Sequence, residues 1–373
     1  MRIIGLAVLL ATVCGGAEKA PGVGKSWGVE RRSYTDPVTG LRVVEITAEG
    51  VHADNLYYHF SNFTADNRHL IFQSKRTGTA QIYRYAVESG EIVQLTDEAG
   101  VAAGSACPDP TEARRVYFMR GEELRALDME TFEQRVVGVI PGPSLGGHGQ
   151  PSVSGDGKWI TVTKMPDART WEIGVIEVAT GAYRTVIRQG FQIGHVQHSP
   201  KSDAIFYVWE TGGYAPQRSW LVQRDGTGNR PMYKPVDPKA WLTPQKEWLT
   251  HEAWVADTGD MTMVNDKVGV MVVKEDGSAR LVREGRYWHV AARPDGKWLA
   301  IDDNEGRIWL AETATGNVRL LATGYRDKVR AVHAHLSFDR KGRYIQFHTG
   351  RTGETVALID LEQLPAGVYE WGR

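Results

Sequence analysis

The chain has 373 residues, 42% hydrophobic and 24% charged, with a formal net charge of −1. That balance is ordinary for a folded globular protein and excludes both a disordered chain and one built mainly to grip nucleic acid, which needs a basic face. Gly (41) and Trp (12) are plentiful, as a fold with many turns and large half-buried aromatics requires.

At the N-terminus Arg2 precedes an apolar run, Ile3 to Val13, and then the small residues Gly15, Gly16 and Ala17. This is the pattern of a secretory leader, too short to span a bilayer, with cleavage expected after Ala17. Residues 1–17 are therefore read as a signal peptide, 18–40 as an N-terminal extension and 41–373 as the folded domain. The protein is expected in the periplasm or outside the cell, with no transmembrane segment. Cys14 offers a lipoprotein alternative. After cleavage Cys107 stands alone, so no disulfide framework is expected.

From Phe63 onward the chain repeats one unit: short strand, tight turn, apolar strand, loop, third strand, Gly turn, fourth strand. The clearest copy runs from Phe63 through Asp66-Asn67, His69–Phe72, Gln81–Tyr85 and Ser89-Gly90 to Thr96. Further copies start near Gly104, Gln150, His195, His251, His289 and His335. Four strands per unit at a period of about 40–45 residues predict an all-β, seven-bladed β-propeller. The segment Leu41–Thr47 reads as an outer strand without a blade of its own, placed to close the ring against the last blade and so remove an exposed edge.

Aligned on the first turn of each copy, His195, His251, His289 and His335 all lie six positions before the turn, and Gln150 holds the same place before Asp156. Only 11 histidines occur in the chain. Four of them at one repeat position, on the strand that lines a propeller's channel, point to a functional site, with His333 and His198 nearby. The alternative reading of each is a blade cap bonded to a neighbouring backbone. Strand order puts Arg218, at the head of a third strand, on the histidine face. The long connection from Gly226 to Leu249, with Trp241 and Trp248, is expected over the same mouth; Tyr214 and Tyr287 are further aromatics there.

The groups His251-Glu252-Ala253-Trp254, His289 before Pro294-Asp295-Gly296, and His333-Ala334-His335 before Ser337-Phe338-Asp339 resemble the oligogalacturonate lyase family, as does the opening copy. The resemblance covers nearly the whole mature chain. It implies β-elimination of short, acidic, pectin-derived oligosaccharides with a divalent metal, typically manganese. By motif it places metal ligands on His289, His333 and His335, a catalytic histidine on His251 and a catalytic arginine on Arg218. His195 and Gln197 match a further polar pair, with Trp254 beside them as substrate-binding. The fourth ligand position, a glutamine in the family, is Arg330 here. A guanidinium has no lone pair to give, so either the metal is held by three histidines and water, or Arg330 itself neutralises the substrate carboxylate. The stretch Val208–Gly212 also departs from the family pattern. The competing expectation is a non-catalytic, carbohydrate- or protein-binding propeller of the cell envelope.

Overall fold

The computed structural model describes residues 20–143, 150–211, 215–234, 248–266, 268–326 and 332–365. The expected leader and Arg330 lie outside them. Among the described residues the strands form seven antiparallel sheets, the blades of a propeller. The innermost strands are Asp54–Asn55, Val101–Pro108, Ser152–Val153, Ile193–His198, Leu249–Trp254, Val290–Ala292 and Ser337–Phe338. Blade six shows the plan: Val290–Ala292, Trp298–Asp302, Ile308–Glu312 and Val318–Ala322 pair in sequence from the axis outward. The expected fold is the one observed.

Strand faces that alternate apolar residues on both sides are the natural filling between blades, because each sheet is covered by its two neighbours. Val264 and Val270 of blade five accordingly pack on Val290, Leu299 and Ile301 of blade six, all fully buried. Burying each such side chain contributes about 1.5–3 kcal/mol. In blades three, five, six and seven the tight turn leading to the second strand carries a left-handed glycine, Gly157, Gly259, Gly296 and Gly342, and in blade one Asn67 takes that conformation, which costs glycine nothing.

The N-terminal segment stitches the ring. Arg42–Glu45 pairs with Thr355–Asp360 as the fourth strand of blade seven, as Leu41–Thr47 suggested, and Arg32–Thr35 adds a fifth. Ser26–Val29 crosses to the neighbouring sheet and becomes a fifth strand on blade one. The half-buried ion pair Arg76–Glu30 (2.8 Å) ties this segment to blade one. Among the described residues no helix is long and apolar enough to cross a membrane.

Candidate metal and active site

Each innermost strand begins on one face of the ring, and the histidines stand at those beginnings. His195, His251 and His335 have φ of 48°, 54° and 39°, a left-handed backbone that non-glycine residues adopt only at a cost. The ladders of blades four and five shift register at these points, between Gly194 and Gln197 and between Thr250 and Ala253. A bulge of this kind re-aims a side chain, here toward the axis.

His289 reaches the same place by a different device. Its backbone N–H donates to Asp302 Oδ1 (2.5 Å), and its Nδ1 lies 2.9 Å from Asp302 Oδ2. Tyr325 donates its hydroxyl to the same carboxylate (2.6 Å). An imidazole that gives its Nδ1 proton to a carboxylate presents a lone pair at Nε2. That Nε2 is buried and has no partner among the described residues. Beside it, the rings of His251, His335 and His333 lie 4.1, 5.0 and 5.5 Å away, centroid to centroid. One nitrogen each of His251, His289 and His333 all fall within 4.8 Å of one another. His335 adjoins this trio and stacks on Tyr58 (6.0 Å, 26°).

Burial, reinforced by the neighbouring imidazoles and Arg218, holds His251 well below the ordinary histidine pKa. It is a neutral imidazole with its Nδ1 buried and unpartnered. Burial pulls His333 and His335 down as well. The indole N–H of Trp288 donates to His333 Nδ1 (3.2 Å). A neutral imidazole has one lone pair, so metal on either nitrogen of His333 would displace that bond.

Behind the imidazoles lies a charged layer. Arg218, 1% exposed, donates Nε to Glu252 Oε1 (2.7 Å), and Glu252 Oε2 takes His195 Nδ1 (2.9 Å). Burial alone would raise the Glu252 carboxyl, but Arg218 and His195 outweigh it and hold it well below the usual range. His195 Nε2 then accepts from the Tyr57 hydroxyl (3.3 Å). Arg218 thus stands on the histidine face, as its strand position suggested, with its guanidinium engaged by Glu252 and, at 3.5 Å, by Glu210.

Other sequence-selected residues sit elsewhere. Gln197 is a staple, donating to the backbone of Glu252 (2.8 Å) and accepting from Trp254 N (3.4 Å). Trp254 lines a cavity on the opposite face, as does His198. Arg330, Tyr214 and Trp241 fall outside the described residues, as does most of the Gly226–Leu249 connection. The part of it that is described contains the fourth strand of blade four, Arg230–Pro231, and Trp248, edge-on to Trp288 at 5.5 Å.

Sequence reasoning passed over Tyr57, Tyr58, His59 and Trp288. The repeat register, anchored on the turn at Asp66, puts Phe60 at the histidine position of blade one. The chain there leaves the ladder after Asn55 and regains it at Phe63, so the preceding aromatics fill the axis instead. The run Tyr57-Tyr58-His59-Phe60 ahead of the first copy was the available signal.

No family model matches the chain. The oligogalacturonate lyase of Dickeya dadantii (strain 3937) is 21% identical over 262 residues, which is 65% of each chain. The match therefore spans just under two thirds of that relative's length. The crystal structure of an oligogalacturonate lyase from Vibrio parahaemolyticus superposes with a TM-score of 0.79 at 18% identity, covering 93% of this chain and all of that one. A second solved structure, an oligogalacturonate lyase in complex with manganese, gives a TM-score of 0.81 at 20% identity, covering 94% and 100%. These structures share the propeller. In sequence and in fold the chain resembles oligogalacturonate lyases.

Proposed function

We propose that this chain is a divergent oligogalacturonate lyase, an exported enzyme that cleaves short uronate oligosaccharides by β-elimination. The observation that carries this reading is His289, whose Nδ1 is fixed on Asp302 while its buried Nε2 has no partner and is ringed by three further imidazoles. A structural cap would use that nitrogen; a metal ligand leaves it open. The apolar pattern of residues 1–17 supports the export part of this reading.

The residues present suit a divalent ion. Oriented imidazoles are common metal ligands, and the Asp302–His289 pair supplies the outer partner that fixes ring and tautomer. His289, His333 and His335 would hold the metal, with manganese the first ion to test given its presence in the related structure. No carboxylate belongs to the set, so the ion would keep its full charge. When bound, a divalent metal supplies neutralisation of the substrate carboxylate, where charge accumulates as the proton beside it is lost.

His251 is the base. Kept neutral by burial, it has a lone pair free to take the C5 proton of a uronate. The C–H electron pair becomes the C4=C5 double bond, the C4–O bond breaks, and the departing oxygen acquires a proton from water. Arg218 acts on this step at one remove: it holds Glu252, which orients His195, and its charge helps keep His251 unprotonated. His195 and Tyr57 present polar atoms to the sugar from the blade-four side, with Gln197 supporting that wall from behind. In the metal-free alternative, Arg330 would take over that neutralisation.

A second assignment follows from spacing alone, with His251 rather than His335 as third ligand, because the closest nitrogen trio is His251, His289 and His333. Metal titration of His251→Ala and His335→Ala separates the two. Under the main assignment His251→Ala binds metal normally and forms no unsaturated product from a galacturonate oligosaccharide. Loss of metal in that variant alone would transfer the base role away from His251.

A further inference from the structure

The axial channel has a second end. On the face opposite the histidines, all seven blades contribute residues to a cavity of ≈ 250 Å³. Tyr58 and His59 form its inner wall and separate it from the imidazoles. Its lining includes two polar groups whose hydrogen-bonding capacity the protein leaves unused.

The first is His198, 4% exposed, on blade four. Its Nδ1 faces the carbonyl of Ser199 (3.1 Å) and so carries the proton, which leaves Nε2 an acceptor. That atom is buried without a partner among the described residues. The second is Arg340, on blade seven across the channel. Its Nε donates to the carbonyls of Phe63 (2.9 Å) and Thr64 (3.2 Å). Neither Nη makes a hydrogen bond or an ion pair among the described residues.

Asp109 attracts that charge from a distance, but no acid pairs with it among the described residues. The two oxygens of Asp339 are engaged by Asn67 and by the backbone N–H of Tyr344. Asp109 is held by Tyr117 and Arg115. Asp257 is exposed at the rim. Cys107, on the same wall, is pushed by burial to a pKa of about 12 and stays a neutral thiol. A half-buried cation without a counter-ion is costly to keep, and a planar guanidinium fork matches a carboxylate in two places at once. Trp254 adds a flat apolar wall of the kind that stacks on a sugar ring.

We propose that this cavity is a binding site for a free sugar acid, a hydroxylated carboxylate of monosaccharide size. Arg340 takes its carboxylate, His198 Nε2 accepts from one hydroxyl, and the ring lies on Trp254. The site is separate from the lyase chemistry and stands whether or not that chemistry is confirmed.

Calorimetric titration of the full chain with galacturonate, and with galactose as the neutral counterpart, tests it. Galacturonate should bind and galactose should not. Arg340→Gln should weaken galacturonate by ~10–100-fold, the loss of a charge-assisted pair, with Arg340→Lys intermediate. His198→Ala should cost several-fold, and His333→Ala, at the other end of the channel, should change nothing. His198→Ala also serves as the test if Arg340→Gln does not fold, since it leaves the Arg340 backbone contacts intact. Galacturonate binding that survives Arg340→Gln and His198→Ala, or that disappears in His333→Ala, would overturn the proposal.

Discussion

Blades four to seven place His195, His251, His289 and His335 at the start of their innermost strands, whereas blade three places Gln150 there and blade one Phe60. Blade two has no imidazole anywhere between Val101 and Val139. The backbone plan is the same on both sides of the ring. Gln150 and His289 each bond one side-chain polar atom and leave the other buried and unpaired among the described residues, so what differs is what surrounds the unpaired atom. Gln150 donates to the carbonyl of Gly104 in blade two (2.6 Å) and so serves as a blade staple. His289 is fixed at Nδ1 but keeps Nε2 unpaired. One repeat position can therefore do structural or chemical work, and the distinction lies in the imidazoles of His251, His333 and His335 that stand around His289.

The sharpest way to break this comparison is to remove the base. His251→Ala should lower turnover by ~10²–10⁴-fold, the usual contribution of a general base, measured against a galacturonate oligosaccharide with the fold verified by circular dichroism. Next comes the layer behind the imidazoles. Arg218→Met leaves the buried Glu252 with His195 as its one remaining side-chain partner among the described residues and should cost ~3–5 kcal/mol in chemical denaturation.

Glu252 carries a pH signature with a definite sign. Its folded pKa is depressed, so its contribution to stability is full above the unfolded value of about 4.3 and is lost as pH falls from there toward the folded value. Glu252→Gln should flatten the acid limb of the stability curve while lowering its plateau.

Asp302→Asn should weaken metal binding by ~10–100-fold, the usual effect of losing an outer partner, read by titration with manganese. The same titration should alter tryptophan fluorescence as the Trp288–His333 bond is displaced, and Trp288→Phe should remove part of that change. The smallest effect belongs to the other half of the ring. Gln150→Ala should cost about 1 kcal/mol of stability for one hydrogen bond and leave turnover near that of the parent.

The propeller was legible because its determinants are local and repeated: a glycine turn, an apolar strand and an alternating strand, copied along the chain. The ring closure by Arg42–Glu45 was legible for the same reason, since a strand pattern without a blade needs a partner. The four imidazoles were legible because the repeat gives them one address. What the repeat cannot encode is a departure from itself. Tyr57 and Tyr58 reach the axis through an irregular inner strand, and Trp288 acts from the residue before His289. Glu252 and Asp302 carry no repeat signature, because their partners Arg218, His195 and His289 lie on other strands or blades. Trp254, three residues beyond His251, was misleading by adjacency: an inner strand runs from one face of the ring to the other, so the tryptophan lines the opposite cavity.

The most direct measurement is formation of the conjugated C4=C5 product, followed by ultraviolet absorbance, from galacturonate oligosaccharides with manganese added or chelated. Product that depends on the metal and disappears in His289→Ala is the predicted result. No product from any uronate oligosaccharide, with no metal bound to the purified protein, would contradict the account and leave a binding propeller in its place.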